Sequence, residues 1–290
     1  MLIQQIINGL SIGGIYALLA TGYALIYSLL GFSNWAHGDV AMLGAYIGFM
    51  CITIGKMPFW VTVIMALLGA GVISILNERV AYRKIRRNNS PTMFLMIAAM
   101  GLSVTFQNAV ILFIGPKFRT FPTVLPVKTV EILGAKLGVL DLFSLIIAVV
   151  AIVTLEILIR KTKFGLAVRA SSSSMTTASI LGINVDKYVM LVFLLSGALA
   201  GGAGLLLGMK YTIYPLMGNI SLKAFIASVF GGLGSVSGAI IGAIFIALTE
   251  TFISAYVNSG LRDVFTFGLL ILILLIRPTG LFGKDIEEKA

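Results

Sequence analysis

The first 38 residues, MLIQQIINGLSIGGIYALLATGYALIYSLLGFSNWAHG (Met1–Gly38), contain no Asp, Glu, Lys or Arg. Working outward, further charge-free tracts run from Asn88 to Pro116, Tyr188 to Met209 and Ala224 to Thr249. The hydrocarbon core of a bilayer is ~30 Å thick and takes ~20 apolar residues per helix. A charged side chain at its centre costs about 2.5–3.5 kcal/mol on insertion scales. Long uncharged tracts separated by short basic knots are therefore the pattern of a chain that crosses a membrane many times.

Composition agrees. Of 290 residues, 59% are hydrophobic and 11% charged, where a soluble domain carries about 25% charged residues. The 21 basic against 11 acidic residues would suggest a nucleic-acid partner in a soluble chain. Here they follow the positive-inside rule, by which Lys and Arg collect in cytoplasmic loops, and no nucleic acid is expected. A single cysteine, Cys51, excludes an internal disulfide. The first thirty residues lack a Lys/Arg n-region and their apolar tract outruns an ordinary signal peptide, so no cleavage is expected.

Apolar segments predict spans at 3–30, 36–54, 58–78, 91–114, 139–159, 188–209, 235–257 and 260–277. A ninth, Ser221–Phe230, is too short to cross and runs into Gly231-Gly232-Leu233-Gly234-Ser235, which breaks helices. The expected fold is all-α: one polytopic transmembrane domain, 1–290, of about eight helices plus a re-entrant half-helix over 221–235. Irregular backbone at membrane depth is tolerated only where protein buries it or it lines a watery cavity. Gly231, Gly232, Gly234 and Ser235 are therefore candidates for a substrate path. Arg79, Arg83, Lys84, Arg86 and Arg87 follow the third span, and Arg160, Lys161, Lys163 and Arg169 the fifth. Both knots are expected in the cytoplasm, which puts the N-terminus outside and the tail from Arg277 inside. Small residues recur at helical spacing (Gly9/Gly13, Gly44/Gly48, Gly197/Gly201, Gly204/Gly208, Gly234/Gly238/Gly242). Such seams bring helix backbones together in lipid.

Polar groups in the apolar tracts are the remaining candidates. Asn34-Trp35-Ala36-His37-Gly38-Asp39 joins the first two spans. It reads either as an interfacial turn, with Asp39 at a helix N-terminus, or as part of a path through the membrane. Gln107 and Asn108 lie within the fourth span and suit interhelical hydrogen bonds or path lining, and Glu250 lies in the seventh. His37 is the only histidine, so no metal cluster and no nucleophile–base pair can be built on it. No P-loop motif occurs. These absences leave no catalytic residues, no metal site and no cofactor to propose. A proton relay through His37, Asp39 and Glu250 stays open, as does a passive channel for small neutral solutes such as urea or amides. Alanine- and glycine-rich faces with few polar groups favour a small zwitterion with an apolar side chain. The basic segment 160–187 also carries Phe164, Leu166, Val168, Met175, Ile180 and Leu181, and Gly182 suits a helix C-terminal cap. Apolar side chains in such a loop suit a short helix docked on a soluble partner or laid on the membrane.

Four features together resemble one family, the LivH-type permease subunits of ABC importers for branched-chain amino acids. They are Asn8-Gly9 through Tyr16-Ala17-Leu18, and Asn34 to Asp39. To these add Gly165 and Arg169-Ala170 to Leu181-Gly182-Ile183-Asn184, and the pair Lys223-Ala224-Phe225 to Gly231-Gly232 with Arg277-Pro278-Thr279-Gly280-Leu281-Phe282-Gly283. The resemblance implies an inner-membrane subunit beside a paralogous permease, two cytoplasmic ATP-binding subunits that hydrolyse ATP, and an extracytoplasmic substrate-binding protein, all within membrane lipid. It further implies that 160–187 holds a coupling helix for the ATPase, with Phe164, Gly165, Arg169, Met175, Leu181 and Gly182 as candidates. The family commonly has Phe and Glu where this chain has Trp35 and Asp39, and acidic and Ala residues where Ser171–Ser174, Met175, Thr176 and Thr177 stand.

Overall fold

The computed structural model describes residues 2–88, 90–122, 129–132 and 135–283. The predicted spans appear as helices with nearly the expected limits: α1 Leu2–Leu30, α2 His37–Thr53, α3 Phe59–Asn77, α5 Thr92–Phe113, α6 Val139–Lys161, α9 Val185–Lys210, α11 Val236–Tyr256 and α12 Arg262–Ile276. Seven of these segments are long and apolar enough to cross a membrane, and α2, with 17 residues, is the shorter eighth. A π-helical turn, Glu78–Tyr82, and a short helix α4, Arg83–Arg87, extend α3. One hairpin interrupts the helical plan: β1 (Thr129–Ile132) pairs antiparallel with β2 (Ala135–Gly138), Val130 opposite Leu137. This hairpin precedes α6 in the segment between the fourth and fifth predicted spans.

Helix α1 is the axis of the bundle and its most buried span. It runs antiparallel to α11, because Gly9 faces Leu248 and Gly13 faces Ile244. Helices α2 and α9 run in parallel, with Ala41 against Gly204 and Ala45 against Gly208. Helix α3 returns antiparallel to α9, Ala70 meeting Gly201 and Ser74 meeting Gly197. A Cβ on Gly201 would stand 2.5 Å from the Ala66 carbonyl oxygen, so the small-residue seams are places where backbone lies on backbone. By contrast α5 and α12 are mostly exposed, and sit at the rim.

Both basic knots lie at one end of the bundle, where α1 finishes and α9 begins. Asp186, in the first turn of α9, accepts from Arg83 (2.7 Å), Arg86 (2.8 Å) and Arg87 (2.5 Å), and Arg86 also reaches the buried Glu78 at 2.9 Å. From the other knot, Arg160 donates to Ser237 Oγ at 3.2 Å, and the Phe164 and Tyr188 rings lie 6.0 Å apart. Segment 160–187 folds as two short helices, α7 (Lys163–Ser173) and α8 (Met175–Ile180). Thr162, Ser174 and Asn184 cap α7, α8 and α9 by accepting from the amides of Gly165, Thr177 and Lys187. Gly182 has φ +84°, and the amides of Gly182 and Ile183 bond the carbonyls of Ser179 and Ala178. That is the six-to-one, five-to-two closure expected of a glycine cap.

The eleven-residue α10 (Ser221–Gly231) follows a 3₁₀ turn, Met217–Ile220, and stops at the glycines as expected. Its last carbonyls do not go unmet. Leu281 N–H donates to Phe230 O (3.0 Å) and Phe282 N–H to Gly231 O (2.9 Å), while Gly280 presses on Gly232. The segment 277–283 thus closes the end of α10, which explains in backbone terms why two distant glycine-bearing stretches occur in one chain.

Candidate functional site

At the middle of α1 two irregular segments converge on the start of α2. Gly31 (φ +66°) turns the chain back from the end of α1, and residues 31–36 re-enter the bundle so that α2 starts beside Gly22. Asn34 fixes this turn: its Oδ1 accepts from Tyr82 Oη (2.8 Å) and from the Ala36 amide (3.2 Å). Ser196 Oγ donates to the Gly22 carbonyl (3.0 Å) and lies 3.3 Å from His37 Nδ1. The second segment is the 3₁₀ turn before α10. Gly38 and Gly218 let it touch the start of α2, since a Cβ on Gly218 would sit 2.6 Å from Asp39 Oδ1. Ser221 Oγ donates to the Gly218 carbonyl (2.6 Å) and meets Tyr23 Oη at 3.1 Å.

Asp39 is the centre of the site. It is 2% exposed and accepts from Gln107 Nε2 on α5 at 3.0 Å. Among the described residues no cation pairs with it. It faces a cleft of about 70 Å³ lined also by Tyr23, Trp35, Ser103, Leu222 and Phe225. That is space for several water molecules.

Of the path candidates, Asn34, His37, Asp39 and Gln107 gather here. Asn108 does not: one residue further round α5, it is exposed and donates to the Val104 carbonyl at 2.8 Å. Gly231, Gly232, Gly234 and Ser235 lie elsewhere, at the basic end of the bundle, where Gly234 packs on Ser28 and Ser235 caps α11. Glu250 is also separate. It binds Lys223 Nζ at 2.7 Å and accepts from Thr266 (3.0 Å) and Tyr16 (3.3 Å), beside a wider cavity of about 540 Å³ that Asp141, Lys210 and Arg262 line. Sequence reading passed over Gly218, and the signal available was the breaker cluster Tyr214-Pro215 to Gly218-Asn219 just before the apolar half-helix that starts at Ser221.

A family described as the branched-chain amino acid transport system permease component matches residues 5–274. The chain belongs to that family. It is 38% identical to the high-affinity branched-chain amino acid transport permease LivH of Salmonella typhimurium, over 99% of this chain and 97% of the relative. It is 37% identical to BraD of Pseudomonas aeruginosa over the same shares. A solved structure, PsaBC from Streptococcus pneumoniae in complex with Fab, aligns with a TM-score of 0.51 at 14% identity, covering 94% of this chain and 91% of that one. That likeness concerns the fold alone. As a member of a permease family the chain is a multi-pass membrane transport subunit, not an enzyme.

Proposed function

We propose that this chain is the permease subunit of an ATP-driven importer for branched-chain or related small apolar amino acids. It stands beside a paralogous permease, is driven by two cytoplasmic ATP-binding subunits and receives substrate from an extracytoplasmic binding protein. The observation that carries the substrate class is Asp39, a buried carboxylate without a cation in a cleft walled by Trp35, Leu222 and Phe225. An α-ammonium supplies the missing charge and an aliphatic side chain suits the wall. The relatives' names support the same class. Alternating access opens this cleft to each side in turn, with Asn34, His37 and Gln107 beside the path. Proteoliposomes holding the complete assembly are expected to take up leucine only with ATP inside. Uptake without ATP, or saturable uptake of urea that leucine does not compete, would overturn this reading.

In the proposed orientation the basic end of the bundle is cytoplasmic, so the N-terminus is outside and segment 277–283 inside. The half-helix element 221–235 then enters from mid-depth and turns at the cytoplasmic face, its glycines serving closure of the path rather than contact with substrate. The exposed helices α5 and α12 flank the site and present the faces for the second permease.

Segment 160–187 is proposed as the ATPase coupling element. Leu181 is 74% exposed and Ile180 80%, and Ile180 lines a groove of about 620 Å³ together with Met175 and Gly182. Apolar area left in water costs ~25 cal/mol per Å², and a docked ATPase removes that cost. Phe164 and Gly165 serve by seating α7 on α6 and α9, and Arg169 by donating to the Ile159 carbonyl at the end of α6. Leu181→Glu is expected to lower substrate-stimulated ATP hydrolysis about tenfold, since a charge would be buried at the contact, while insertion is unchanged. With Cys51 replaced, single cysteines from Lys163 to Asn184 are expected to cross-link to the ATPase, and failure at every position would sink the assignment.

A further inference from the structure

At the end of the α3 extension a cleft of about 320 Å³ is lined by Arg79, Arg83, Lys84, Arg87 and Asn88, with no acidic side chain in its wall. The carboxylates nearby are already committed: Asp186 to Arg83, Arg86 and Arg87, and Glu78 to Arg86. Arg79 donates to Met190 Sδ at 3.5 Å, and among the described residues neither it nor Lys84 has an acidic partner. Five cations therefore meet two carboxylates, and the surplus faces the cleft.

The surroundings decide what anion fits. Val72, Leu76 and Val80, at four-residue spacing on one face, are more than half exposed, and the row leads directly to Lys84. A soluble anion would have no use for this aliphatic stripe, and an acidic protein rim would not need it. A molecule with a phosphate at one end and alkyl chains at the other matches both parts. We propose that the cleft binds the phosphate of an anionic phospholipid headgroup, with its acyl chains along Val72, Leu76 and Val80. The site is independent of the transport cleft at Asp39.

The test is native mass spectrometry of the full chain in detergent, titrated with phosphatidylglycerol or with phosphatidylcholine of the same acyl chains. Phosphatidylglycerol is expected to be retained preferentially, and Arg79→Gln with Lys84→Gln to weaken its binding about tenfold or more. These two side chains hold no carboxylate, so the double variant is expected to stay monodisperse with an unchanged thermal midpoint. Equal retention of both lipids, or full retention of phosphatidylglycerol by the variant, would overturn the proposal. So would displacement of the lipid by an equal concentration of inorganic phosphate, which would mark a free-anion site. Loss of ATPase association with lipid binding intact would show a protein-docking surface instead. Should the double variant fail to fold, the wild-type chain decides: binding of phosphatidylglycerol is expected to fall as salt rises, and salt-independent binding would reject the site.

Discussion

Gly204→Val is expected to abolish a stably folded subunit. Gly204 on α9 lies against the backbone of Ala41 on α2, and an added Cβ would collide with the Ala41 carbonyl oxygen and carbon. No flexible side-chain end stands there to move aside. The same helix is held on its other face by Gly197 and Gly201 against α3, so it cannot retreat from α2 without opening a second seam. Overpacking in a close-packed core costs about 1–3 kcal/mol and more where backbone is struck, and in lipid no hydrophobic force restores the contact. The subunit should aggregate or melt well below the wild type in detergent. Gly101→Ala and Gly268→Ala make the control: nothing stands within 4 Å of either added Cβ, and alanine is favoured over glycine in a helix by about 1 kcal/mol. Both should fold normally. A monodisperse Gly204→Val variant with a wild-type thermal midpoint would show that the seam is looser than its geometry.

Asp39→Asn is expected to stop uptake and yet to stabilise the empty subunit. Among the described residues the carboxylate is buried with neutral partners, the Gln107 amide and the Ser103 hydroxyl, and no cation, an arrangement that costs free energy until a cation arrives. Asparagine keeps the shape and a hydrogen bond to Gln107 while removing the charge. The thermal midpoint of the unliganded subunit should therefore rise. Losing one partner of a buried charge pair costs about 2–5 kcal/mol, so transport should fall by thirtyfold or more at limiting substrate. Asp39→Glu, which retains the charge, should keep measurable uptake. Normal transport by Asp39→Asn would remove Asp39 from the path.

Much of the architecture was legible because the bilayer penalises charge so strictly. The predicted spans 3–30 and 188–209 mark α1 and α9 within a few residues, and the glycine pairs name the seams. Gly182 was readable as a cap because the left-handed backbone it adopts is a local property. The site was less legible, because its contacts are not local. Gln107 and Asn108 are adjacent, and only the rotation of α5 decides that the first reaches Asp39 while the second faces outward. The break at Gly231–Ser235 showed that α10 is half a span, but not at which depth it ends. Depth is set by packing against Ser28 and by the backbone of 277–283, which no periodicity in 221–235 reports. The short hairpin before α6 had neither the length nor the alternation to stand out.

The closure of α10 by residues 277–283 has a consequence for how the protein is made. The carbonyls of Phe230 and Gly231 leave the ribosome about 50 residues before the amides of Leu281 and Phe282 that satisfy them. At synthesis rates of about 5–20 residues per second, the half-helix waits for seconds with an unfinished end. The axis helix waits longer still, because α11, which covers Gly9 and Gly13, emerges more than 200 residues after them. Insertion must therefore run ahead of packing, and the segment behind α12 acts as a latch that can close only after α12 has emerged. A chain that stalls in the final turn of α12 would reach the membrane with α1 to α11 in place and still present an open α10 to quality control.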